Sequence, residues 1–274
     1  MNRREVSVLV VGMGNMGSAL ARALAEAGWK VGGAEKDPQR AARVREELKD
    51  LGVKVFSPGD QWSVQDWRVM IVAVKPKDVP ETLGEFSMHL APSTLVISIA
   101  AGVRIETLKK LLPHEQPLVR VMPNTPAMVG AGASALAAAP WTRQEDVELA
   151  RELMGAVGIV EVVDEALMDG VTALSGSGPA YAAAIIEALA DGGVAEGLPR
   201  AIAQRLAAQT LLGAARMVLE GIHPAQLKDM VTSPGGTTIA GLEALETGGL
   251  RGALMRAVRA AAARSRALAQ STKR

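Results

Sequence analysis

The sequence predicts an α/β fold, a Rossmann-type doubly wound sheet followed by an all-helical domain, and three observations carry that prediction. Short Val- and Ile-rich runs alternate with helical stretches up to residue 164, as buried parallel strands alternate with crossover helices. The first run, Val6–Val11, passes through Gly12-Met13-Gly14-Asn15-Met16-Gly17 directly into an Ala- and Leu-periodic helix. From Glu165 onward strand signals all but cease. Residues 1–164 therefore read as a dinucleotide-binding domain and residues 165–274 as a helical domain.

In chain order, strand, GxGxxG and helix stand in the setting that gives the motif its meaning. Glycines permit the tight turn and let a pyrophosphate approach the helix N-terminus, so Gly12 to Gly17 are candidate cofactor residues. A second strand, Lys30–Ala34, ends at Glu35-Lys36, about 18 residues past the last glycine, where an adenosine ribose is read. An acid there bonds the ribose hydroxyls of NAD, and a base pairs with the 2′-phosphate of NADP. Glu35 argues for the first, Lys36 and Arg40 for the second, and the choice stays open.

Further strands are expected at Val69–Val74, Leu95–Ile99 and Leu118–Met122, with Gly158–Val163 as the last. Beyond them, the turn from Ser175 to Pro179 opens a helix to about Val194 that carries only Glu187 and Asp191 as charges. Helices are expected at Pro199–Glu220, from Pro224, at Ile239–Glu246 and at Gly249–Gln270. So apolar a set of helices buries too little alone, which implies burial against a second copy of the chain.

Composition narrows the chemistry. With no cysteine and three scattered histidines (His89, His114, His223), the chain offers no metal-ligand spacing, so no metal is expected. A net charge of +1 and 3% aromatic residues argue against nucleic acid as a partner. No stretch approaches a transmembrane span, so no membrane partner is expected, and the cytoplasm is the expected compartment.

The loop Val231–Thr238, VTSPGGTT, can converge several backbone N–H groups on one point at the start of a helix, with the hydroxyls of Ser233, Thr237 and Thr238 beside them. A small carboxylate fits such a site; a plain Gly-rich turn is the other reading. The choice of acceptor rests on an absence. Reducing a ketone creates an alkoxide that needs a proton donor, usually Lys or His, and none stands between His114 and His223. Reducing a protonated imine yields a neutral amine directly, and an acid such as Glu165 can face the iminium. Lys75 and Lys228 remain as alternative donors.

Six segments, in order, carry a resemblance: GMGNMGSA at 12–19, AVKP at 73–76, SIAAGV at 98–103, RVMPNTPA at 120–127, LSGSGPAY at 174–181 and HPAQLKDMVTSPGGTTIAGLEALE at 223–246. Over essentially its whole length the chain resembles the pyrroline-5-carboxylate reductases, which reduce 1-pyrroline-5-carboxylate to L-proline with NADPH or NADH. The resemblance implies that Gly12, Met13, Gly14, Asn15, Met16 and Gly17 hold the pyrophosphate, and that Val74, Lys75, Pro76, Ala100 and Ala101 line the ribose and nicotinamide. It implies that Glu165, Ser233, Gly236, Thr237 and Thr238 bind a cyclic imino acid, the Thr238 hydroxyl meeting the ring nitrogen as the catalytic contact. It also implies a homodimer with interlocked helical domains, often built further into decamers. Many members of the family carry Ser, Asn or Arg where this chain has Glu35-Lys36, so the NADPH preference that the resemblance implies does not carry over and the preferred cofactor stays open.

Overall fold

The computed structural model describes residues 5–113 and 115–271; His114 lies outside the described residues. Eight strands form one sheet in the order β3-β2-β1-β4-β5-β6-β7-β8. They are β1 (Ser7–Val11), β2 (Lys30–Ala34), β3 (Lys54–Phe56), β4 (Val69–Val72), β5 (Leu95–Ser98), β6 (Leu118–Met122), β7 (Gly132–Ala138) and β8 (Gly158–Val162). Every neighbouring pair is parallel except β6 and β7. Five helices accompany the sheet: α1 (Asn15–Glu26), α2 (Pro38–Leu48), α3 (Val79–Phe86), α4 (Ile105–Lys109) and α5 (Gln144–Met154).

Period-two alternation along the strands explains the two faces. Val8 and Val10 point into a core shared with Leu20 and Leu24 of α1, Val44 of α2 and Leu153 of α5. Leu9 and Val11 point the other way, into a core with Val79 and Leu83 of α3 and Leu108 of α4. All five residues of β1 are buried, as a central parallel strand covered on both sides requires. Strand order reverses between β2-β1 and β1-β4, so the crevice at the carboxyl ends of these strands is the expected ligand site.

Two strands escape the sequence reading. β3 spans three residues, too short for a periodic signal. β7 reads GASALAA, alanine-rich and poor in β-branched residues, and forms because it is bracketed between β6 and β8. In β2 two consecutive glycines survive inside a strand for a packing reason. A Cβ at Gly32 would lie 2.3 Å from Cη2 of Trp67, and one at Gly33 2.6 Å from Sδ of Met13.

After β8 come a 3-10 turn (Glu165–Leu167), the short α6 (Met168–Val171) and a π-helical turn (Thr172–Gly176). The remaining helices are α7 (Gly178–Ala195), α8 (Arg200–Leu219), α9 (Pro224–Met230), α10 (Thr237–Thr247) and α11 (Leu250–Ser271). The chain divides into two compact units, Met1–Ser177 with Ala261–Arg274, and Gly178–Ala260. The end of α11 therefore belongs with the sheet. Ala262, Ser265 and Ala269 are buried there, and the Ser265 hydroxyl donates to Asp169 Oδ1 at 2.6 Å.

Within the helical unit α7 and α8 pack closely: a Cβ at Gly193 would meet Ala203 Cβ at 3.2 Å, tighter than an ordinary contact. The apolar helices of this unit were expected to be buried against a second copy of the chain. In a single chain only Ala190 of α7 is buried, and Leu189, Leu198, Ile202, Leu206 and Leu212 of this unit stay exposed. A lone copy lacks the mass to cover them.

Candidate active site

The first cluster of candidate residues sits at the carboxyl ends of β1, β2, β4 and β5. Gly12 turns the chain out of β1 with φ +94°, a conformation open to glycine, and its N–H donates to Ala34 O at 2.8 Å. Gly17 is buried in α1 against that turn: a Cβ there would lie 1.9 Å from Gly12 O. Gly14 is the N-cap of α1 and supplies no side-chain cap, so the first amides of the helix are free to bind an anion. Nothing lies within 4 Å of a Cβ built on Gly14, so backbone and ligand can approach on this side.

A cleft of about 540 Å³ opens at this point. Gly14, Asn15 and Met16 line it with Val74, Lys75, Pro76, Ala100 and Ala101, and Ile99, Met122 and Pro123 add to the apolar wall. Eight of the residues expected from sequence to hold the cofactor thus meet on one cavity. Arg40 and Arg43 of α2 line it as well. Arg43 was missed because a helical arginine beside Glu47, which it meets at 3.6 Å, reads as an ordinary solvated pair. Free amides, an apolar slot and cations fit a dinucleotide.

Met13, Glu35 and Lys36 do not line the cleft. Met13 is fully buried beneath the turn, and its N–H donates to Glu35 Oε2 at 3.0 Å. The other oxygen of Glu35, Oε1, accepts from Asp37 N at 3.0 Å. Lys36 points to Asp78 at 4.0 Å and Glu81 at 3.8 Å.

Glu165 follows β8, and its Oε1 accepts from Ile105 N at 2.7 Å and from Arg120 Nη1 at 3.0 Å. Arg120 is buried on β6, so Glu165 compensates its charge. That pairing of residues 45 apart was invisible in the sequence. Asn124, in the PNTP segment, accepts from Ala133 N at 2.8 Å and donates to Ser175 O at 3.1 Å, which ties β6, β7 and the π-helical turn together.

The remaining candidates belong to the helical unit. Gly235 adopts φ +66°, and Gly236 N donates back to Ser233 O at 3.0 Å. A Cβ at Gly236 would stand 2.3 Å from Ser233 Oγ, so a side chain there would displace the Ser233 hydroxyl. Gly236 is the N-cap of α10 and no side chain caps it, which leaves the amides of Thr237 and Thr238 without helical acceptors. The start of α10 thus leaves two amides open to an outside acceptor, and the second of them belongs to Thr238. Among the described residues, no group of three His, Cys, Asp or Glu side chains is arranged to hold a metal ion, and no helix is long and apolar enough to cross a membrane.

A doubly wound sheet with this glycine turn and cationic cleft defines a pyridine-nucleotide-dependent oxidoreductase. A family model described as NADP oxidoreductase, coenzyme F420-dependent, matches residues 7–102, and one for pyrroline-5-carboxylate reductase dimerisation matches residues 165–268. The pyrroline-5-carboxylate reductase of Pisum sativum is 44% identical over 94% of both chains, and that of Synechocystis 47% identical over 96% of this chain and 98% of its own. Among solved structures, a pyrroline-5-carboxylate reductase from Coxiella burnetii superposes with a TM-score of 0.89 at 35% identity, covering 97% of this chain and 99% of its own. The Plasmodium falciparum enzyme, solved with NADP bound, gives 0.80 at 32% identity with the same coverage. The chain belongs to the pyrroline-5-carboxylate reductase family, and its helical part is a homo-oligomerisation domain.

Proposed function

We propose that this protein reduces 1-pyrroline-5-carboxylate to L-proline at the expense of NADPH or NADH, the closing step of proline biosynthesis. The observation that carries this reading is the uncapped start of α10, where the Thr237 and Thr238 amides are left for a small carboxylate. The dinucleotide, when bound, supplies a hydride to the imine carbon. The substrate's C=N pair then moves onto nitrogen, and a neutral secondary amine forms without an acid catalyst. Thr238 is the catalytic contact: its hydroxyl oxygen accepts from the iminium N–H and orients the ring. Ser233 and Gly236 shape the carboxylate loop, and Glu165 joins the substrate set as the acid that tolerates the iminium charge. Gly14, Asn15 and Met16 face the pyrophosphate on the turn that Gly12, Met13 and Gly17 build, and Glu35 and Lys36 stand beside the adenosine end without lining the cleft. Val74, Lys75, Pro76, Ala100 and Ala101 line the ribose and nicotinamide.

Residues 1–164 serve as the nucleotide domain and 165–274 as the helical domain, a boundary supported by the start of the family match at residue 165. The assembly unit is a homodimer with interlocked helices, open to further assembly into a decamer, and the enzyme works in the cytoplasm. The test is NADPH and NADH oxidation on adding pyrroline-5-carboxylate, with a simple α-keto acid in parallel. Turnover with the imine alone is expected. Cofactor binding without reduction of either acceptor would leave a noncatalytic NAD(P)-binding regulator instead.

A further inference from the structure

We propose that this chain selects NADPH over NADH through Arg40 and Arg43, and that Glu35 is a positioning residue withheld from the ribose. The inference rests on the nucleotide-dependent reading above and concerns one contact within it.

An acid at the end of the second strand of a doubly wound sheet selects NAD by accepting hydrogen bonds from both adenosine ribose hydroxyls. That role needs a carboxylate turned outward with both oxygens available. Glu35 meets neither condition. Its side chain is only 4% exposed, its Oε2 accepts from the Met13 amide and its Oε1 from the Asp37 amide. Those bonds hold the glycine turn to the start of α2. The same Oε2 lies 3.5 Å from Nη1 of Arg40 and so orients the guanidinium.

Positive charge is what the cleft presents. Its lining carries Arg40, Arg43 and Lys75 and no carboxylate. Arg40 and Arg43 are three residues apart on α2, hence on one face of the helix, and their side chains are 43% and 67% exposed. The acids nearby are otherwise engaged. Asp37 caps α2 by accepting from Gln39 N and Arg40 N, and Glu47 meets Arg43 through its Nε. Lys36, the residue that looked most suited to a phosphate, is the poorer candidate because it does not line the cleft and its Nζ is turned toward Asp78 and Glu81. A phosphate monoester on the ribose carries close to two negative charges at neutral pH, and a guanidinium fork recognises it in bidentate fashion.

The test is calorimetric titration of the full-length protein with ADP-ribose and with 2′-phospho-ADP-ribose, which reads binding independently of turnover. The wild-type protein is expected to bind the 2′-phosphorylated compound at least about 10-fold more tightly, as one or two charge-assisted hydrogen bonds allow. Arg40→Ala and Arg43→Ala should each bring the two affinities closer and leave ADP-ribose almost unchanged, with Arg40→Lys recovering part of the difference. Glu35→Gln should weaken both ligands alike and preserve the preference for the phosphate. Equal binding by the wild-type protein, or a Glu35→Gln variant that loses ADP-ribose selectively, would overturn the proposal while leaving a nucleotide-dependent reductase in place. Binding of neither compound would remove the underlying reading together with it.

Discussion

Thr238 and Glu35 show how differently single residues declare themselves. Thr238 follows two glycines and a proline at a helix start, so its uncapped amide was legible from local order alone. Replacing it with Ala keeps the amide and deletes the hydroxyl. If the hydroxyl orients the iminium, Thr238→Ala lowers kcat about 10- to 100-fold, the worth of one hydrogen bond to a charged group. Cofactor affinity should stay within about two-fold, since the residue lies outside the cleft at α1. Steady-state kinetics with a parallel cofactor titration checks both; unchanged kcat removes Thr238 from the mechanism. Glu35 was equally visible, yet its orientation was not. A carboxylate beside a ribose site and one that bolts two backbone amides are the same letter in the chain, and only the bonds to Met13 and Asp37 tell them apart. Glu165 follows the same rule, because its partner Arg120 comes from a different strand.

At the level of elements, the turn from β1 into α1 is the tightest contact of the cofactor site. A Cβ at Gly17 would have to occupy space 1.9 Å from a backbone oxygen that cannot rotate away, so α1 must move off β1. Gly17→Ala should therefore abolish detectable dinucleotide binding and lower the melting temperature by several degrees, as a loss of about 1–3 kcal/mol implies. Calorimetry and thermal denaturation together read this, and wild-type binding in the variant would show that the turn tolerates displacement. The strands rich in Val and Ile were readable because they are buried on both faces. β7 was not, since its alanines form a strand only when neighbours supply the ladder, and its antiparallel pairing with β6 interrupts an otherwise parallel sheet. The π-helical turn at Thr172–Gly176 also lay beyond local propensity; its backbone is engaged by Asn124, 51 residues away.

For the whole molecule, the helical unit is the part that does not close on itself. Leu206 is 55% exposed on α8, while Ala203 and Ala207 on the same helix are buried. An aspartate at 206 should leave the α7–α8 pairing intact and oppose burial of that face against a second copy. Leu206→Asp is accordingly expected to reduce the mass measured by light scattering toward that of one chain, with helicity retained; an unchanged mass would place the interface on another face. The sequence by itself determined the class of fold, the glycine turn after the first strand and the uncapped helix start at Thr237. Each of these depends on residues adjacent in the chain, where periodicity, glycine spacing and helix-start chemistry act directly. The tertiary structure decided which charged side chains face the cleft, which strands complete the sheet and how much apolar surface one copy leaves uncovered. Those outcomes depend on groups far apart in the chain competing for the same space and the same hydrogen bonds, and that competition is resolved only when the elements pack.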